Sequence, residues 1–389
     1  MAKMVFNGIL WFMVLFVAYN VVESSTTYNV LDFGAVGNGA SDDTQNFLQA
    51  WDSVCQDSSS PTLLVPQGYA FLLQQIQFNG PCQSEIHVQI LGDLIAPENT
   101  WETSDPASWI LFQHVQDLTI DGNGQLDGHG SIWWDCFQNK QCDKRPSLFA
   151  IFSCNNFHMS GLKFINAPMM HVILHGVSGA DVNGITIDSP QTSPNTDGVH
   201  ISNSENVQIT DSNISNGDDC ISIGVQTQDI NINGITCTYG HGVSIGSLGM
   251  NGASVQVEKI TVSNSNFIST TNGARIKTWQ GGSGFARGIT FEHLNFDSVK
   301  NPIIIDQNYC PHCQAVPSSS AVAVSDVRFI DLKGTSDGIP IKFDCSETIP
   351  CTDIIMEDVN IDGPGHSECV NAHGSQSGTI VPPDPCLVP

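Results

Sequence analysis

Short alternating apolar runs recur along the chain in one form: Asp or Asn, an apolar residue, any residue, and a second apolar one. The form stands as DLTI at 117–120, NFHM at 156–159, NVQI at 206–209, DINI at 229–232, DVRF at 326–329 and DIIM at 353–356. Looser copies are KITV at 259–262 and GITF at 288–291, and the closest copies lie 23 to 30 residues apart. Alternation with a period of two marks strands, and the Gly, Asn, Asp and Ser between the runs supply tight turns. A motif repeating at this length without helical stretches predicts a solenoid of β-coils, each stacked about 4.8 Å from the last. A β-sandwich also has many short strands, but they need not repeat a motif at coil length, so the pattern favours an all-β parallel β-helix. One early stretch departs from it. TQNFLQAWDSVCQ at 44–56 has apolar residues near helical spacing and predicts a short helix capping the N-terminal end of the core. No linker or shift in composition divides residues 25–389, which read as a single domain.

The N-terminus has a different pattern. Lys3 precedes an apolar run at 8–22, and small residues follow at Ser24 and Ser25. The run is shorter than the roughly 20 residues a membrane span needs and Asn20 interrupts it, so residues 1–24 are expected to be a cleaved secretory signal. Export fits the 13 cysteines, which should mostly pair in an oxidising compartment. The expected pairs are Cys55 with Cys82, Cys136 with Cys142, Cys220 with Cys237, Cys310 with Cys313, Cys345 with Cys351, and Cys369 with Cys386. Cys154 is left as a buried free thiol. CPHC at 310–313 could be half of a zinc knuckle, but no second CxxC accompanies it. Asn213 heads an N-x-Ser sequon and is a candidate glycan site.

Composition adds one constraint. The 389 residues carry a formal charge of −26, with only 13 Lys plus Arg. Such a surface excludes non-specific binding to nucleic acid or anionic membranes. An anionic ligand would need a local basic patch.

Candidate chemistry lies in SPNTDGVHISNSENVQITDSNISNGDDCISIG, residues 193–224, and just beyond it. Asp197, Asp219 and His241 are 22 and 22 residues apart, so a coil of that length stacks them in one column, with Asp218 one position aside. Carboxylates about 5 Å apart cannot both ionise freely, and at least one holds its proton to higher pH. Downstream, Arg275 and Lys277 are two positions apart and share a strand face. If the column continues, that face bears the aspartates. The two cations then either clamp a substrate anion or form ion pairs with those aspartates. Acids, a histidine and a basic pair in one groove suggest hydrolysis of an acidic sugar polymer.

NTDG (195–198), GDDC (217–220), GHG (240–242) and RIK (275–277), in this order, resemble the four signatures of the polygalacturonases, family 28 of the glycoside hydrolases. NVLDFGAVGNGASDDT (29–44), DGHGSIWW (127–134), SIGSLG (244–249), RIKTWQGGSG (275–284) and NPIIIDQNYC (301–310) resemble the plant members, and the likeness covers nearly all of residues 25–389. The resemblance implies a right-handed, pectin-lyase-like parallel β-helix and hydrolysis of α-1,4-linked galacturonan (de-esterified homogalacturonan, the pectic polysaccharide) with inversion. It casts Asp218 as the general acid, Asp197 and Asp219 as activators of water, and His241 as keeper of the protonation network. It casts Arg275 and Lys277 as binders of the galacturonate carboxylate, with Tyr309 lining the adjacent subsite. No metal or other cofactor is expected. The implied protein is a monomer secreted to the cell wall, and RIKTWQGGSG leans towards internal cleavage. One departure stands beside His241: the plant pattern Cys-Gly-Pro-Gly-His-Gly is here CTYGHG, with Thr238 and Tyr239 in place of Gly-Pro. Exo-acting and rhamnogalacturonan-acting relatives, a calcium-using lyase and a catalytically silent wall-binding solenoid remain the alternatives.

Overall fold

The motif copies stack in register in a computed structural model that describes residues 26–103, 107–142, 144–310, 322–383 and 386–388. Parallel pairing sets Leu118, Phe157, Ala180, Val207, Ile230, Ile260, Ile289, Val327 and Ile354 side by side on successive coils. All nine are buried. Burying each larger aliphatic or aromatic side chain contributes about 1.5–3 kcal/mol. In a stacked coil each also lies on a similar residue above and below, as where Phe291 lies on Phe329 with ring centroids 5.5 Å apart.

The residue opening each motif explains its composition. Asp117, Asn156, Asn206, Asp229, Lys259, Asp326 and Asp353 have φ between 50° and 58°. This left-handed conformation costs most L-residues about 1–2 kcal/mol and is eased in Asn and Asp by local hydrogen bonding. Gly179 and Gly288 hold the same place with φ of 77° and 62°. Gly179 opens a copy, GADV, that the Asp-or-Asn form of the motif passed over.

Each coil passes through three ladders. After the motif strand comes a short strand such as Asn213–Asn216, and then a strand of a separate 11-stranded parallel sheet. That sheet runs from Ile76–Asn79 through Val172–His175, Val199–Ser202, Ile221–Ile223, Val243–Leu248, Asn272–Trp279 and Asn301–Tyr309 to Glu368–Val370. The first two ladders join into a 22-stranded sheet, with Ser283–Val299 long enough to run through both. The result is a right-handed parallel β-helix.

The predicted helix is present as Thr44–Gln56, with Phe47, Ala50, Trp51 and Val54 buried and Trp51 packed on Phe78 and Phe112 of the first coils. A second helix, Ser131–Gln138, was not expected. It is inserted between Gln125–Asp127 and Ser147–Phe152, where the spacing between motif copies stretches. Cys55–Cys82, Cys136–Cys142, Cys220–Cys237, Cys345–Cys351 and Cys369–Cys386 are disulfides. Cys310 is also disulfide-bonded, but Cys313, and with it most of CPHC, lies outside the described residues. Cys154 is a buried free thiol, pushed up to about 11 by burial. Asn213 is exposed at the start of its strand. The signal segment 1–24 also lies outside the described residues. Among those described, no helix is long and apolar enough to cross a membrane.

Candidate active site

Two pairings fix the aspartate column. Val199 lies beside Ile221 and Ile221 beside Val243, which sets Asp197, Asp219 and His241 in step two residues upstream. They occupy the turns that lead into the 11-stranded sheet. Backbone bonds lock the steps: Gly198 N–H donates to Asp219 O at 2.9 Å and His241 N–H to Asp218 O at 2.8 Å. The fully buried Asn216 braces two of these turns, its Nδ2 donating to Thr196 O and to Asp219 O, both at 2.8 Å.

The column does not continue into Arg275. Ala274 pairs with Val243, so Asn272 is the residue beside His241. Arg275 and Lys277 lie further along Asn272–Trp279 and reach back to Asp219 from the outer face of the sheet. Arg275 Nη2 bonds Asp219 Oδ1, and Lys277 Nζ bonds Asp219 Oδ2 at 2.8 Å. Ser244 Oγ–H donates to Asp219 Oδ1 at 2.8 Å and accepts from Arg275 Nε at 2.7 Å. Ion pairing with an aspartate, one of the two possibilities for these cations, is therefore realised in this structure.

The three carboxyls differ sharply in environment. Burial alone would raise Asp219, but the charges of Arg275 and Lys277 outweigh it and hold Asp219 down at about 2. Asp197 is pushed well above the usual carboxylate range, first by burial and then by the charges of Asp218 and Asp219. Its one side-chain donor among the described contacts is Ser222 Oγ–H, at 2.7 Å from Oδ2. Since Ser222 gives its proton to Asp197, it accepts from His200 Nδ1–H at 2.8 Å. Burial lowers His200 to about 4, so that imidazole is neutral. Asp218 is the most open of the three. Its Oδ1 accepts from Asp219 N–H at 2.8 Å and lies 3.0 Å from His241 Nδ1. Its Oδ2 faces Asn195 Nδ2 at 3.5 Å.

Tyr309 joins the cluster. Lys277 Nζ lies 5.4 Å from its ring centroid, and Trp279 packs edge-on against the same ring at 5.4 Å. All seven residues singled out for catalysis and binding thus converge on one stretch of the sheet. Sequence reasoning missed Asn195, His200, Ser222, Ser244, Trp279 and, from an earlier coil, Arg145. A signal for three of them existed: His200, Ser222 and Ser244 repeat the 22-residue step three positions after Asp197, Asp219 and His241.

Asp218, Asp219 and His241 each bring one ligand atom within 4.8 Å of the others. That set fits a metal poorly. Both oxygens of Asp219 are taken by Arg275, Ser244 and Lys277, so a cation there would displace two charges already seated. What the arrangement offers is proton chemistry: one carboxylate kept ionised, one carboxyl biased to hold a proton, and a third open to the groove with a histidine beside it.

A family model described as glycosyl hydrolases family 28 matches residues 55–379. A probable polygalacturonase of Arabidopsis thaliana is 43% identical over 379 residues, covering 94% of this chain and 82% of the relative. Polygalacturonase-2 of Solanum lycopersicum is 41% identical over 364 residues, covering 91% of this chain and 80% of the relative. Among solved structures, an endo-xylogalacturonan hydrolase from Aspergillus tubingensis superposes with a TM-score of 0.80 at 25% identity, covering 92% of this chain and 99% of that one.

Proposed function

The chain belongs to family 28 of the glycosyl hydrolases, and from that premise we propose that it is a polygalacturonase cleaving the α-1,4 bonds of de-esterified homogalacturonan with inversion. The observation that carries this reading is the division of three clustered carboxyls, with Asp219 held ionised, Asp197 raised and Asp218 facing the groove, beside Arg275, Lys277 and Tyr309. Asp218, reachable from the groove, protonates the leaving oxygen. Asp197 and Asp219 flank the attacking water on the other side of the sugar. His241, at Asp218 Oδ1, sets which oxygen of the acid carries the proton.

Arg275 and Lys277 serve two anions in turn. Lysine has three donors and arginine five. Asp219 and Ser244 use only part of that supply, and the remainder is available to a galacturonate carboxylate, with Tyr309 and Trp279 as an aromatic wall to the next sugar. A net charge of −26 would repel the polyanion elsewhere and concentrates binding on this patch.

Replacing Asp218 by Asn tests the assignment. Release of reducing ends from polygalacturonate should fall by about 10²–10⁴-fold, the usual worth of a positioned acid, while binding persists. Unchanged release would leave the wall-binding solenoid as the better reading. Unsaturated, UV-absorbing products would indicate elimination instead. We further propose internal cleavage, supported by the likeness of RIKTWQGGSG to endo-acting plant enzymes; early products sized on oligogalacturonates would be mixed oligomers, and monomer alone would refute it. Export to the cell wall is supported by the disulfides and is checked by N-terminal sequencing of the secreted protein. Monomeric action is checked by light scattering.

A further inference from the structure

Arg145 lies outside every motif that marked the site, between the inserted helix and Ser147–Phe152, and is only 5% exposed. Its guanidinium meets neutral groups. Nη1 donates to Pro168 O at 3.0 Å and to Pro194 O at 2.7 Å, carbonyls of successive coils. Nη2 donates to Asn195 Oδ1 at 2.7 Å, and the cation stacks 4.0 Å from the Phe137 ring centroid. Burying a cation among neutral partners costs solvation that those contacts only partly restore. Burial accordingly lowers its pKa, with the charge of Asp218 opposing that fall. A fold that keeps this arrangement gains something beyond packing.

Asn195 supplies the reason. It sits in the left-handed region, φ 57°, two residues before Asp197. Its amide has two orientations that exchange oxygen and nitrogen. Arginine is a donor only, so Arg145 selects the orientation with Oδ1 towards the guanidinium. Nδ2 is then left facing Asp218 Oδ2 at 3.5 Å. In the opposite orientation the amide oxygen would face Asp218 and accept the acid's proton, diverting it from the glycosidic oxygen.

We propose that Arg145 is a positioning residue of the hydrolytic site: it fixes the Asn195 amide so that an N–H faces Asp218 and the sugar beside it. The role rests on the reading of Asp218 as proton donor. It acts through Asn195 alone, which makes it separable from a general bracing of the two coils.

The test is a double-mutant cycle on purified full-length protein with polygalacturonate as substrate: wild type, Arg145→Met, Asn195→Ala and the pair. Arg145→Met is expected to lower kcat about 10–100-fold, the range found for residues that orient the ligands of metal sites, with KM changed less than about threefold. The double variant is expected to be no worse than the weaker single variant, because residues acting as a unit do not add. Multiplicative losses, or a raised KM with kcat intact, would overturn the proposal. If Arg145→Met loses its urea transition, Arg145→Lys enters the same cycle under the same criterion, since a point charge cannot hold both carbonyls and the amide. Asp218→Asn separates the two levels. An active Asp218→Asn removes the functional reading and this proposal with it, whereas an inactive one beside multiplicative losses removes only the role of Arg145.

Discussion

Replacing Lys277 by Met isolates one half of the charge that holds Asp219 ionised. The Lys277 Nζ to Asp219 Oδ2 distance is 2.8 Å, and both side chains are buried. At an effective dielectric of about 20 the gross attraction is about 6 kcal/mol, much of it offset by the cost of desolvating both groups. The net value is better read from the carboxyl. A fall from 3.8 to about 2 corresponds to about 2 kcal/mol of preference for the ionised form in the folded state. Arg275 supplies part of that hold and stays in the variant, so the loss expected at pH 6–7 is about 1–2 kcal/mol. Asp219 lies below its unfolded value in the fold. Its contribution is therefore complete above about pH 4 and drains away as pH falls through about 2. Lys277 also restrains the rise of Asp197, so its removal adds to the loss at neutral pH with the same sign. Urea unfolding of wild type and Lys277→Met across pH 2.5–7 reads the difference directly; methionine keeps the volume of the stem. A difference that does not shrink towards pH 2.5, or no difference at pH 6, would refute the electrostatic account of the site.

Asp197→Asn should stabilise the fold at pH 7 by at least about 1 kcal/mol, because a carboxyl raised in the fold loses stability as pH climbs above its unfolded value; the gain should vanish below about pH 4 in the same urea series. Ser222→Ala removes the donor that favours ionised Asp197, so the acidic limb of the pH–rate profile should move to higher pH, and a limb that stays put would separate Asp197 from the rate. Asn206, exposed at φ 55°, should accept Gly with little change in the urea midpoint, whereas Val should cost about 1–2 kcal/mol. Treatment with EDTA should leave the rate on polygalacturonate unchanged, since the oxygens of Asp219 are already bonded to Arg275 and Lys277; a rate restored only by added calcium would contradict this.

The coils were legible because their two constraints are local. An alternating core strand and a left-handed opening residue both leave a direct mark on composition, and Gly179 was passed over only because glycine meets the second constraint without the side chain used to recognise it. The column of Asp197, Asp219 and His241 was legible for a related reason: consecutive coils of equal length convert sequence spacing into spatial register. That conversion fails where length changes. Between Val243 and Ala274 the coil is longer, so Asn272 rather than Arg275 stands beside His241. The helix Ser131–Gln138 and Arg145 lie within the longest insertion, where no repeat was available to count along. The second step of 22 residues, through His200, Ser222 and Ser244, needed no structure. It went unread because serine spaced among turn residues is ordinarily a turn residue.

Parallel stacking in register lays each side chain on the corresponding one of the next coil. For the core this is cooperative, and isoleucine on isoleucine needs nothing further. For carboxyls the same geometry is adverse, and the chain shows two ways of meeting it. At Asp306 and Asp344, paired on adjacent coils, Asn308 stands between: its N–H donates to Asp306 Oδ1 at 2.9 Å and its Nδ2 to Asp344 Oδ1 at 2.7 Å. Burial and the charge of Asp344 still raise Asp306. At Asp197 and Asp219 the remedy is asymmetric. Two buried cations are committed to Asp219, while Asp197 receives a single serine hydroxyl. A structural repair would divide the donors between the two acids and bring them to similar states. Concentrating the cations on one acid drives the states apart: Asp219 stays ionised, so of the two acids beside the attacking water it is Asp197 whose ionisation sets the acidic limb of the rate, while the proton for the glycosidic oxygen comes from Asp218.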